Sequence, residues 1–204
     1  MESLGVIVLT GGGSSRMGRH KPALDVGGRP IIARILDACA GLPLVVVGDG
    51  AAVPSDVRVV REDPPGGGPV AGVAAGFAAL IGPYAAQPAP GAPLLERVAV
   101  LAGDLPFVTR AALVRLNEAL EADPSAELAL AVDAEQRVNW LCGVWRTEVL
   151  ARRLRAVGDP NGVSVKRLID DSRRTLVADH SGWSADVDTP EDLATARAAA
   201  RDDR

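Results

Sequence analysis

Cysteine is nearly absent from this chain: among 204 residues there are two, Cys39 and Cys142. They are too few for a disulfide framework and too isolated for a zinc cluster. Histidine is as rare, and His20 and His180 have no partners at the spacing of a metal site or a catalytic triad. An excess of positive charge is missing too. Lys and Arg total 22 against 26 Asp and Glu, a net charge of −4, which argues against a generic grip on nucleic acid or an anionic membrane. No apolar run approaches the ~20 residues of a membrane span. Met1-Glu2-Ser3-Leu4 leads into an apolar stretch with no basic n-region and no small-residue cleavage site. A cytoplasmic protein without membrane or nucleic-acid partners is expected. What is present is ordinary globular composition, 48% hydrophobic and 24% charged, and a chain of this length buries a sufficient core without staples. The expectation is a single domain over 1–204.

The hydrophobic pattern alternates strands with helices. Leu4 to Leu9, Leu44 to Val47, Val57 to Val60 and Arg97 to Ala102 read as buried strands. Glu127 to Val132 and Val138 to Trp145 follow as two more, and Leu176-Val177 as a weak last one. Helices are expected from about Pro30 to Ala40 and Pro69 to Leu80, then after Thr109, over Thr147–Val157 and Ser164–Asp170, and from Thr189-Pro190-Glu191-Asp192 onward. Gly82 to Pro93, rich in Pro, Ala and Gly, reads as a surface excursion. Gly72 and Gly76, on one face of their helix, point to close approach to the sheet or to a ligand. Alternation of this kind gives an α/β three-layer sandwich, Rossmann-like, with a mostly parallel sheet. Ligands bind such sheets beyond the carboxyl ends of the strands, which singles out the loops after Leu9, Val60 and Ala102.

The first of these loops reads Leu9-Thr10-Gly11-Gly12-Gly13-Ser14-Ser15-Arg16-Met17-Gly18-Arg19-His20-Lys21. Consecutive glycines allow backbone N–H groups to converge on an anion, and Arg16 and Lys21 add the charge a polyphosphate requires. It is not a Walker A loop, since Arg19 and His20 stand where Lys and Ser or Thr would follow Gly18. It is not a dinucleotide fingerprint either, since Arg16 stands where a glycine is needed. After the third such strand, Asp104 is a carboxylate at the site mouth, and magnesium prefers one or two carboxylates with phosphate oxygens and water. Asp63, before a double proline, either starts a turn or offers paired acceptors to the donor edge of a base. Asp188 either belongs to the start of the last helix or supplies a second metal ligand. Trp140, Cys142 and Trp145 lie on one strand, where alternation places Trp140 and Cys142 on one face and Trp145 on the other. Core packing accounts for them, and Trp140 also offers an aromatic face on which a flat ring could stack. Cys39 reads as a buried small hydrophobe. Asn161-Gly162-Val163-Ser164 leads to a helix N-terminus that could in principle take a phosphate.

Leu9 to Lys21 resembles the G-G-x-S-x-R-M-G-x-x-K signature of the sugar-nucleotide-type nucleotidyltransferases, in the MobA-like branch that attaches a nucleotide to the molybdenum cofactor. Three further blocks resemble the same branch in order: Gly67-Gly68-Pro69-Val70-Ala71-Gly72, Gly103-Asp104-Leu105-Pro106-Phe107 and Asp188-Thr189-Pro190-Glu191-Asp192-Leu193. Together they span nearly the whole chain. Thr10, His20 and Asp188 depart from the usual Ala, Asp and Asn.

The resemblance implies one antiparallel strand in the sheet and a magnesium-dependent guanylyltransferase, with GTP and a molybdopterin-type cofactor as substrates. It implies a nucleotide site of Leu9, Thr10, Gly11, Gly12, Gly13, Arg16, Lys21, Asp63 and Asp104, with Arg16, Lys21 and Asp104 catalytic. Asp104 and Asp188 would be the metal ligands. A monomer or weak oligomer, in transient contact with other proteins of cofactor biosynthesis, is expected. Two rivals stand beside this reading. One is a sister transferase that uses another base or acceptor, such as a cytidylyltransferase or a phospholactate or sugar-phosphate enzyme. The other is a nucleotide-binding regulatory protein without turnover, against which the intact Lys21 and Asp104 argue.

Overall fold

Strand β1 (Leu4–Leu9) is buried at all six positions. Alternation sends Leu4, Val6 and Val8 into one core and Ile7 and Leu9 into another, so this strand needs cover on both faces. The computed structural model describes residues 3–11, 21–86 and 95–202. After β1, the short strands β2 (Asp25–Val26) and β3 (Arg29–Pro30) form a hairpin around Gly27-Gly28 that the sequence pattern did not reveal. Then follow α1 (Ile31–Ala38), β4 (Leu44–Val47), β5 (Val59–Val60), α2 (Pro69–Ala86), β6 (Arg97–Ala102) and α3 (Arg110–Ala122). The rest of the chain adds β7 (Leu128–Val132), β8 (Val138–Arg146), α4 (Thr147–Val157), α5 (Val165–Ile169), β9 (Arg174–Ala178) and α6 (Pro190–Asp202).

Seven strands make one sheet in the order β5-β4-β1-β6-β8-β7-β9. All pairings are parallel except those of β8, which runs antiparallel to both β6 and β7. The expected α/β sandwich with a single reversed strand is thus observed. One core packs Ile31, Ile32 and Ile35 of α1 and Leu113, Leu116 and Leu120 of α3 on the sheet; the other packs α2, α4 and α5. Gly76 makes the α2 contact possible: a Cβ there would meet Ile7 Cγ2 at 2.6 Å and Val47 Cγ2 at 2.8 Å. None of the helices among the described residues is long and apolar enough to cross a membrane.

The sequence reading of 82–93 as a surface excursion is corrected for its first part, because α2 continues to Ala86. Pro83 ought to stop it, since it has no N–H for the Ala79 carbonyl four residues back. Arg58 supplies the missing donor, its Nη1 donating to Ala79 O at 2.7 Å. Residues 87–94 lie outside the described part. The even alternation expected for Trp140, Cys142 and Trp145 also fails: Cys142 belongs to the α1/α3 core, whereas Trp140 and Trp145 pack toward the other. An irregularity in β8 is the reason.

Candidate active site

The parallel strands β1, β4 and β6 end side by side at Leu9, Val47 and Ala102, in register with one another. Beyond that edge lies a cavity of about 600 Å³ whose lining includes Leu9, Gly11, Val47, Gly48, Asp49 and Glu62, with Gly72 of α2. Gly48 has a positive φ of 114°, and a Cβ there would collide with the Gly11 backbone, so the two loops close against each other only because residue 48 is glycine. Buried Thr10 fastens this edge. Its Oγ1 lies 2.8 Å from Asp49 O and 3.0 Å from Val47 O, a tie that the Ala usual in the resembling family would lack.

Lys21 opens a single 3₁₀ turn, Lys21–Ala23. Its Nζ lies 2.5 Å from Asp188 Oδ1 and 3.5 Å from Asp104 Oδ2. Burial by itself would lower the lysine pKa, but the hydrogen bond to Asp188 and the charges of both carboxylates raise it above the usual value. Burial pushes the Asp104 carboxyl up to about 6, against the pull of Lys21. Asp104 Oδ1 is buried and accepts no hydrogen bond among the described residues. Asp186 is raised as well, first by burial and then by the charge of Asp188.

The two readings of Asp188 separate in the structure. Thr189 and Asp192 form the helix start between themselves: Thr189 Oγ1 accepts from Asp192 N–H at 3.1 Å, and Asp192 Oδ2 accepts from Thr189 N–H at 2.8 Å and Asp188 N–H at 3.1 Å. This is a capping box with Asp in place of Glu. Only the Asp188 backbone is engaged there, which leaves its carboxylate for Lys21.

A second cavity of about 800 Å³ adjoins the first, lined by Asp104, Asn139, Trp140, Leu141, His180, Asp186 and Asp188 among others. A cleft of about 210 Å³ lies between them, with Leu9, Lys21, Gly103, Asp104 and Leu141 in its walls. Leu9, Thr10, Gly11, Lys21, Asp104 and Asp188 are therefore brought together as expected. Gly12, Gly13 and Arg16 lie outside the described residues. Asp63 is exposed and is not among the lining residues of the first cavity; the acidic side chains there are Asp49 and Glu62. Sequence reasoning passed over both, although Asp49 stands two residues past the end of a buried parallel strand, where ligand contacts concentrate. His180, given no role from sequence, lines the second cavity, and Arg174 lies 5.5 Å from the centre of the Trp140 ring.

Two cavities joined by a cleft that carries Lys21, held by two carboxylates, leave room for two ligands beyond the carboxyl edge of the sheet. Residues 6–176 match the family model described as the MobA-like NTP transferase domain, and the chain belongs to that family. A molybdenum cofactor guanylyltransferase of Rhodopseudomonas palustris is 32% identical over 215 residues, covering 97% of this chain and 95% of that protein. A second, from Rhizobium johnstonii, is 33% identical over 146 residues, 71% of this chain; the match spans 64% of the Rhizobium protein's length. Among solved structures, molybdopterin-guanine dinucleotide biosynthesis protein A from Archaeoglobus fulgidus superposes with a TM-score of 0.73 at 19% identity, over 97% of this chain and 99% of that one. The 2-C-methyl-D-erythritol 4-phosphate cytidylyltransferase of Thermus thermophilus does so with a TM-score of 0.60 at 19% identity, over 96% and 98%. Both structures share the fold.

Proposed function

We propose that the protein transfers GMP from GTP to a molybdopterin-type cofactor and releases pyrophosphate. The observation that carries this reading is Lys21, held between Asp104 and Asp188 where the two cavities meet. The nucleotide takes the cavity of Leu9, Gly11 and Asp49, and the acceptor takes that of Asn139, Trp140 and His180. A terminal phosphate oxygen of the acceptor attacks the α-phosphorus, a bond to that oxygen forms, and the bond to the pyrophosphate leaving group breaks. Such a displacement asks the protein for positioning and charge neutralisation more than for covalent chemistry. Lys21 stays protonated and neutralises phosphate charge; the Gly11–Gly13 backbone and Arg16 join it.

A divalent cation, magnesium in this reading, fits the residues present. Asp104 has a buried oxygen without a hydrogen bond, and no group of three or more His, Cys, Asp or Glu among the described residues forms a closed metal cage. A site with one or two carboxylates suits an ion that completes its shell with phosphate oxygens and water. Asp104 and Asp188 would hold it, and when bound it supplies charge stabilisation to the phosphates.

The test is a turnover screen of the four ribonucleoside triphosphates against molybdenum cofactor, following pyrophosphate release with and without magnesium. GTP-dependent formation of the guanylylated cofactor is expected. A preference for CTP would instead make the chain a cytidylyltransferase, and release with no nucleotidylated product would defeat the reading.

A further inference from the structure

Strand β8 breaks step with its neighbour at one place. Opposite Leu130 of β7 stands Gly143, and opposite the next residue, Ala131, stands Asn139. Trp140, Leu141 and Cys142 are therefore extra residues on that side, although Cys142 still pairs with Leu101 of β6. A bulge of this kind re-aims side chains and is common beside active sites. Here it turns Leu141 to a position where it lines the first cavity, the second cavity and the cleft between them.

The bulge is braced by one side chain. Asn139 Oδ1 accepts from Leu141 N–H at 3.0 Å, and Asn139 Nδ2 donates to Ser184 O at 2.9 Å. Ser184 is itself fixed, its N–H and Oγ donating to Asp179 Oδ2 at 2.7 and 2.8 Å. Asp179 Oδ1 accepts from the N–H groups of Ser181 and Gly182 at 2.9 and 2.8 Å, and the residue is only 3% exposed. The bulge and the 181–184 loop thus form one wall.

We propose that Leu141 is an apolar partition between nucleotide and acceptor, and that Asn139 is the positioning residue that holds it there. This inference rests on the group-transfer reading above. Its chemical purpose follows from the competition at the α-phosphorus. Water can attack the same atom, its oxygen bonding to phosphorus while the bond to pyrophosphate breaks and the proton passes to solvent, giving GMP. An apolar side chain at the junction keeps water from that approach until the acceptor fills its cavity.

The experiment measures, with GTP, magnesium and molybdenum cofactor, the ratio of free GMP released to GMP transferred. It compares the wild-type chain, Leu141→Ala, Asn139→Ala and the double variant. Each single variant is expected to raise the ratio on the order of tenfold, and the double variant no further, because the two residues act as one unit. Leu141→Val carries the same test at smaller amplitude should Leu141→Ala lose its fold. Variants that slow transfer and hydrolysis together at an unchanged ratio, or whose effects simply add, overturn the proposal. A wild-type chain that guanylylates nothing overturns the function itself, and the partition with it.

Discussion

A carboxylate stripped of water holds its proton more tightly, and Asp104 does so up to a pKa of about 6. In the protein without ligands this contribution to stability is present below the ordinary value of 3.8 and is lost as the pH rises through about 6. Asp104→Asn is expected to flatten the dependence of Tm on pH across that interval, and to abolish turnover at pH 8. A variant that keeps both the slope and the activity would place the metal elsewhere. Asp188→Asn should cost much less turnover, since its carbonyl oxygen still accepts from Lys21 and the helix start belongs to Thr189 and Asp192. The base preference has a sharper competition. Asp63 was expected to read guanine, yet Asp49 and Glu62 line the cavity. Glu62→Gln should therefore reduce the preference for GTP over CTP. If instead only Asp63→Ala reduces it, the loop turns inward on binding and Asp63 is the reader. Competitive turnover with the two nucleotides distinguishes these outcomes, and about 1–3 kcal/mol of discrimination is the scale for such buried polar contacts.

At the scale of elements, α2 carries a proline that a helix interior tolerates at a cost of about 3 kcal/mol, and Arg58 offsets part of it through Ala79 O. Arg58→Ala should lower stability by about 1 kcal/mol, and Arg58→Ala with Pro83→Ala should recover it; denaturant melts of the pair check this. Glu127 ties three elements at the far end of the sheet, 2.5 Å from Arg152 and 3.2 Å from Arg153 of α4, with its backbone N–H on Arg173 O at 2.7 Å ahead of β9. Burial would raise its pKa, but the Arg153 and Arg173 hydrogen bonds and the arginine charges leave it below its ordinary 4.5. Its contribution is present above 4.5 and is lost as the pH falls through the lowered value, so Glu127→Gln should lose stability at pH 7, and that loss should shrink as the pH is taken below 4.5. These couplings mark the limit of what the sequence made legible. Leu4–Leu9, Arg97–Ala102 and Thr147–Val157 were readable to the residue because each is a clean hydrophobic or amphipathic run with an obvious boundary. The β2–β3 hairpin was too short to show a period. The extension of α2 depended on a donor 21 residues away, and the bulge in β8 is a matter of pairing, which no single-strand pattern contains. The site followed the same rule. Lys21 and Asp104 stood in recognisable blocks, whereas Asp49, Glu62 and Leu141 became site residues only when separate strands were laid edge to edge.

For the molecule as a whole, ligand binding and folding are linked, because the cavity of Leu9, Gly11 and Asp49 exists only when β1 and β4 are paired. GTP at about 100 times its Kd should therefore add about 2.7 kcal/mol of stability, read as a rise in Tm. Leu113→Ala, in the core beneath α3, should cost about 2–5 kcal/mol and leave that rise unchanged. The placement of the cavities along the chain has a further consequence. Among the described residues, and apart from Leu141, those that line the first cavity fall between Leu9 and Gly72, and those that line the second fall between Ala102 and Asp192. In the proposed transfer reaction, the described walls of the donor and acceptor cavities thus come from separate stretches of the chain, with Leu141 of the reversed strand in both and with Asp104 and Asp188 of the second stretch reaching back to Lys21 of the first. Such an arrangement lets evolution exchange the molecule that receives the nucleotide by rewriting the second stretch around a retained Asp104 and Asp188 while the first is inherited intact, with Leu141 as the hinge of the exchange.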